Sequence, residues 1–312
     1  MTRYYAPAST GNFTVGFDLL GLALEPESGE LLGDVLEIDA AHPAEALTLC
    51  VSGRYAHQLP ADANDNVVLA CHQAFERVLD KALPRFAMHL HKNLPVGSGL
   101  GSSACSIVVA CHALNESFGR PLDDRRLLEL MAVCEGGISG SIHYDNVAPS
   151  YFGGLQLMLP QSAAVSRRLP WFEHWRVVVC YPGTTVSTKA AREVMPASVD
   201  RAVAVEYAGM LGRFLSALYA NDEAEALDSL HDVLAEPHRL TLIPELIPLR
   251  EQLGAQGIAH VGISGSGPTL FALCTSDEQA QLAAHWFIRH YQKNDDAMTH
   301  ICRVAASGVR AL

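Results

Sequence analysis

A chain of 312 residues is long enough for two domains of ordinary size. With 49% apolar and 18% charged residues it reads as globular, with no disordered tract. A formal charge of −12 argues against a nucleic-acid surface, so any small anion must be held locally, by glycine amides and a few arginines.

The opening segment, MTRYYAPASTGN, lacks the basic start and apolar core of a secretion signal. No apolar run reaches the roughly 18 residues that cross a bilayer, so a cytoplasmic location without a membrane partner is expected. Alternation marks DVLEIDA and FAMHLHKNL as half-buried strands. NVVLACHQAFERVLDKAL and SSACSIVVACHALNESF carry apolar residues at three- and four-residue spacing and read as helices. LDDRRLLELMAVCE is a further helix, expected to end at Glu135 before two glycines, and GGISGSIHYDNVAPS (136–150) is a loop of small residues.

Around 160–175 prolines and small polar residues replace this periodicity, placing a domain boundary at 165/166. Beyond it follow the strand WRVVVCYP, several helices between 187 and 254 and the strand-turn-strand HVGISGSGPTLFALC. The helix DEQAQLAAHWFIRHYQ and a last strand, HICRVAASGV, complete an α+β pattern. Eight scattered cysteines without a C-x-x-C pair read as reduced core thiols, with no metal spacing among them. The histidines outside the loops, including His89 and His91, read as structural.

LPVGSGLGSSA sets Gly97, Gly99 and Gly101 at alternate positions just before a helix expected to start near Ser102. Unobstructed glycine amides and the positive end of a helix together form an anion site, suited to the phosphates of a nucleotide. The loop has neither the lysine of the common phosphate loop nor a G-x-G-x-x-G, and no G-x-S-x-G nucleophile elbow occurs in the chain. Two further loops, at 136–150 and 262–271, are rich in glycine and serine, and all three are expected to line one cleft from both domains.

LPVGSGLGSSA resembles the second motif of the GHMP kinases, APASTGNFTVGFDLLGLAL their first and GISGSGPTLFAL their third, in the right order over nearly the whole chain. Within that superfamily, GNFTVGFDLLG, GSIHYDNVAPSYFGG and AEPHR are similar to the homoserine kinase branch of the enterobacterial type. The resemblance implies an N-terminal domain (1–165) like the second domain of ribosomal protein S5, with a left-handed βαβ crossover, and a ferredoxin-like C-terminal domain (166–312). It implies transfer of a phosphoryl group from ATP to L-homoserine, a step toward threonine, and it allows a homodimer.

By the same resemblance Pro95, Val96, Gly97, Ser98, Gly99, Leu100, Gly101, Ser102 and Ser103 would cradle ATP, with Ser264, Gly265, Ser266 and Gly267 approaching from the other domain. Ser103 and Glu135 would bind Mg2+. Asp18, with Asn12 nearby, would take the substrate ammonium, and Arg192 and Arg239 its carboxylate. Thr188 lies four residues before Arg192, on the same face of a helix. Asn146 stands where several superfamily relatives carry an aspartate base; with Arg192 and His143 it forms the expected catalytic group, Asp145 being adjacent. Two other readings share the motifs: another GHMP-type small-molecule kinase, acting on mevalonate or a sugar, and a nucleotide-binding sensor without catalysis. A pair of arginines opposite Asp18 disfavours the first, and retention of Ser103 with Glu135 the second.

Overall fold

A computed structural model describes residues 1–139 and 142–312, apart from the side chains at 138 and 139. The chain enters on β1 (Thr2–Pro7), turns through β2 (Ser9–Gly11) and continues into β3 (Leu20–Pro26), β4 (Gly33–Ile38) and β5 (Thr48–Ser52). Helix α1 (Val67–Leu79) crosses to β6 (Ala87–His91), followed by α2 (Ser102–Ser117), α3 (Asp124–Ser139) and α4 (Val147–Phe152). Strands β7 (Leu155–Met158), β8 (Ser166–Arg168) and β9 (Arg176–Tyr181) come next. They lead to helices α5 (Thr188–Glu193), α6 (Arg201–Ala220), α7 (Glu223–Asp228), α8 (Glu236–Arg239) and α9 (Leu246–Gly254). Last are the hairpin β10 (His260–Ile263) and β11 (Leu270–Cys274), helix α10 (Asp277–His290), β12 (Met298–Val304) and β13 (Arg310–Ala311).

Local chemistry sets these bounds. Asn66 caps α1 by accepting from the Val68 amide at 3.0 Å, and Asp80 ends it in the left-handed region. Ser276 caps α10, whose first turn carries Asp277 and Glu278 and whose last carries Arg289 and His290, matching the helix dipole. Helix α2 is buried on almost every side, and its small residues Ala104, Cys105, Ala110, Cys111 and Ala113 let neighbouring elements approach closely.

The first sheet runs β13-β1-β4-β6-β5, with β5 and β6 parallel across α1 and the other pairs antiparallel. The second runs β10-β11-β9-β12-β3-β7-β8, with β2 joined to β3. Strands from both sides of residue 165 share this second sheet, because β3 lies between β12 and β7. The architecture is α+β, as expected, but three local expectations are corrected. Helix α3 does not stop at Glu135; it continues through Gly136 and Gly137 to Ser139. Residues 136–150 are therefore not one loop, since α4 begins at Val147, while Gly140 and Ser141 lie outside the described residues. The strand holding Cys302 is not the last, because β13 follows it and pairs with β1. Among the described residues no helix is long and apolar enough to cross a membrane.

A buried ion pair lies under the glycine loop. Lys92, just after β6, is 1% exposed and sits 2.5 Å from Asp34 of β4, which is wholly buried. Lys92 also donates to the Ser102 carbonyl at 2.9 Å and to Ser106 Oγ at 3.0 Å. Asp34 further accepts from Ser106 Oγ and from the amides of Asn93 and Leu94. Lys92→Met strands this carboxylate and should lower unfolding free energy in urea by about 3–5 kcal/mol. Adding Asp34→Leu should restore only part of the loss, because two amides and a hydroxyl then lack their acceptor.

Candidate nucleotide and substrate site

The three motifs meet. Gly97, Gly99 and Gly101 have φ of 64°, 84° and 65°, a region open to glycine at no steric cost. Helix α2 starts at Ser102, as expected, with Gly101 as its N-cap, so its free amides point out of the loop. The loop is fastened to the β10–β11 turn: Ser264 Oγ donates to the Gly99 carbonyl at 2.8 Å and the Thr269 amide to the Ser98 carbonyl at 3.0 Å. A Cβ on Gly99 would stand 2.3 Å from the Ser264 carbonyl oxygen. The first motif closes the junction, for the Gly265 amide donates to the Gly11 carbonyl and Asn12 Nδ2 to the Gly265 carbonyl at 3.0 Å. Leu100 is buried, whereas Val96 is 40% exposed and its amide donates to Gln58 Oε1.

Between β2 and β3 the backbone turns through positive φ at Asn12 (67°), Phe13 (35°), Thr14 (60°) and Asp18 (58°). Strained non-glycine residues persist only where their surroundings hold them. Here Phe13 is fully buried and stacks on Phe271 with ring centroids 5.1 Å apart, and Asn12 Oδ1 accepts the Asp18 amide at 2.9 Å. The turn delivers Asp18 to Arg192 on α5, at 2.9 Å and 3.4 Å from its two guanidinium nitrogens. His143 Nδ1 lies 3.4 Å from the same carboxylate, and Asp18, His143 and Asp145 bring ligand atoms within 4.8 Å of one another.

Arg239, on α8, donates to the Gly265 carbonyl at 2.8 Å and the Ala191 carbonyl at 3.3 Å. Three amides donating to Asp232 shape the turn that leads into α8. Phe17 presents its ring to both Arg192 and Arg239, at 5.8 Å and 5.3 Å. The Nε of Arg192 is buried and has no acceptor among the described residues. Thr188 opens α5 on an exposed turn, one helical turn before Arg192, and makes no side-chain hydrogen bond among the described residues.

Asn146 sits between the first two motifs, with Oδ1 accepting from Ser9 Oγ at 3.1 Å and Nδ2 donating to Asp145 Oδ2 at 3.2 Å. Asp145 and Asn146 crowd glycines closely: a Cβ on Gly11 would be 2.2 Å from Asp145 Oδ2, and one on Gly21 would overlap the Asp145 carbonyl oxygen. Asp145 is the residue that sequence reasoning undervalued, noting it only as a neighbour of Asn146. Burial, reinforced by the Asp18 charge, pushes its carboxyl up from 3.8 to about 7. Burial lowers His143, with Asp18 opposing that shift. A cavity of about 700 Å³ adjoins this group, with Asp18, His143 and Tyr144 in its wall.

Ser103, in the first turn of α2, donates to Glu135 Oε1 on α3 at 2.8 Å. Burial raises the Glu135 carboxyl, and the Ser103 hydrogen bond and Lys92 oppose that shift. A hydroxyl beside a buried carboxylate, next to the amides of the glycine loop, is a donor set that fits Mg2+. His89 and His91, expected to be structural, share Ser52 Oγ at 2.8 and 2.9 Å and gather with Glu37 on the first sheet.

The model described as GHMP kinases N terminal domain matches residues 66–154, and the one described as GHMP kinases C terminal matches 214–293. The chain belongs to the GHMP kinases, a family of phosphotransferases. The homoserine kinase of Cytophaga hutchinsonii is similar over 100% of this chain and 97% of its own, with 29% identity and a TM-score of 0.87. The mevalonate kinase of L. major, solved with R-mevalonate, shares the fold over 98% of this chain and 97% of its own at 17% identity and a TM-score of 0.70. That of Methanococcus jannaschii does so over 97% and 98% at 14% identity and a TM-score of 0.71.

Three variants test this geometry. Gly99→Val should abolish measurable ATP binding in calorimetry, because the side chain meets backbone at positive φ. Gly137→Ala, a helical position with nothing within 4 Å, should bind ATP as before. Asp145 holds its proton in the folded chain up to about 7 but only to 3.8 when unfolded, so its contribution to stability falls as pH rises between those values. Asp145→Asn should therefore raise the melting temperature more at pH 8 than at pH 5.

Proposed function

We propose that the chain is a homoserine kinase, transferring the γ-phosphoryl group of ATP to the side-chain hydroxyl of L-homoserine. The observation that carries this reading is the charge pattern around Phe17. Asp18, paired with Arg192 and backed by the buried Asp145 carboxyl, and Arg239 stand around this ring, beside the glycine loop, so that a negative and a positive group are offered together. An α-amino acid carries the complementary charges, whereas mevalonate and sugars lack the ammonium. Similarity to a homoserine kinase over both chains supports the same substrate class.

In this reading the amides of Gly97 to Ser103 bind the triphosphate, and the Ser264–Gly267 turn, whose Ser264, Gly265 and Gly267 amides donate to protein carbonyls, buttresses that loop from the other side. Ser103 and Glu135 would hold Mg2+, which would neutralise phosphate charge when bound. Asp18 and Asp145 receive the ammonium, which draws the Asp145 carboxyl down from about 7 into its charged form. Arg192 turns from Asp18 to the carboxylate, and its buried Nε gains an acceptor. Asn146 has no proton-accepting nitrogen or carboxylate, so it orients the hydroxyl by hydrogen bonding. Rate enhancement then rests on alignment and charge stabilisation, with the hydroxyl proton leaving late, as a loose phosphoryl transfer allows.

A coupled ADP-release screen over homoserine, threonine, mevalonate and galactose tests the substrate. Homoserine should be the strong acceptor; equal turnover of homoserine and its carboxylate methyl ester would overturn the assignment. Arg192→Ala should raise the homoserine KM about tenfold to more than a hundredfold, the loss of a charged hydrogen bond worth about 1.5–3 kcal/mol, and leave the ATP KM nearly unchanged. Glu135→Ala should fold normally and shift the Mg2+ requirement upward, read as the concentration for half-maximal turnover.

A further inference from the structure

The cysteines read as scattered core thiols are not scattered in space. Cys71 of α1, Cys111 of α2 and Cys134 of α3 bring their three sulfur atoms within 4.8 Å of one another. Cys71 and Cys111 are completely buried, whereas Cys134 is only partly so and opens the group to solvent. Core thiols commonly pack as small apolar residues, but packing alone does not require three sulfurs to converge with one side open.

We propose that Cys71, Cys111 and Cys134 form a binding site for a soft, thiolate-seeking cation, Zn2+ or Cu+. Metal–sulfur bonds of about 2.3 Å put three sulfurs about 4 Å apart, so the observed cluster need contract by only about half an ångström per sulfur. Thiolate ligands select these ions over Mg2+, which takes oxygen, so the site does not compete with Ser103 and Glu135 for the same metal. Binding one divalent ion to three thiols releases three protons and leaves a complex of charge −1. Arg77, the cation acting on Cys134, faces that charge. Cu+ accepts three sulfurs alone, and Zn2+ completes its shell with water on the open side of Cys134. Either ion would pin α3 to α1 and α2, one residue before Glu135.

The probe is Cd2+, titrated into reduced, metal-stripped full-length protein. The expected result is a sulfur-to-metal charge-transfer band saturating at one equivalent, with a rise in melting temperature. The band should disappear in Cys134→Ser and persist in Cys50→Ser, whose sulfur is exposed elsewhere. The Glu37–His89–His91 and Asp18–His143–Asp145 groups also gather possible ligand atoms, so a ¹¹³Cd spectrum of the unmutated protein separates the triad from both without any variant. A signal in the three-sulfur range supports the triad; a signal from nitrogen and oxygen ligands only, or no binding, overturns it. Competition of Zn2+ and Cu+ against chelators selective for each then shows which ion binds more tightly. None of these readouts depends on kinase activity.

Discussion

The buried pair of Lys92 and Asp34 is the contact on which the glycine loop depends. One carboxylate takes the ammonium and a hydroxyl on one oxygen and two consecutive loop amides on the other. The ammonium in turn grips the carbonyl of Ser102, the first residue of α2. Strand β4, the exit of β6, the start of the loop and the first turn of the helix are thus tied at one point. A lysine so placed cannot reach a ligand. It orients the helix, whose free amides are the donors the proposed function gives to the phosphates. A loop without a lysine of its own therefore rests on one that is already neutralised.

The side proposed for the substrate follows a similar economy of charge. Asp18 and Arg192 pair with each other in the ligand-free chain, so neither is left uncompensated over the Phe17 ring. A zwitterion can replace that single ion pair with two, one at each end of the molecule. A simple carboxylate would satisfy Arg192 alone and strand Asp18, and a neutral alcohol would answer neither charge.

The parts that could be read from the chain are those with local signatures. Helices α1 and α2 announce themselves by apolar spacing, and Gly97, Gly99 and Gly101 by a backbone that other residues resist. Strand β3, LGLALEP, was hidden because it is buried on both faces and so lacks alternation. The end of α3 was misplaced because paired glycines normally stop a helix, and here they do not. Asp145 has no motif that would betray its proton affinity, since burial raises it and burial comes from distant residues. The cysteine triad is invisible for the same reason: its members are one to a helix, and only the packing of three helices brings them together.

The position of β3 also has a consequence for how the chain is made. Its register partner across the second sheet is β12, with Glu25 opposite Arg303. A ribosome adding about 5–20 residues per second emits that partner only tens of seconds after β3 itself. Through that interval an apolar strand has one bare edge, and the first sheet likewise waits for β13 to cover β1. Synthesis order thus runs against the topology: the earliest strands are the last to be enclosed.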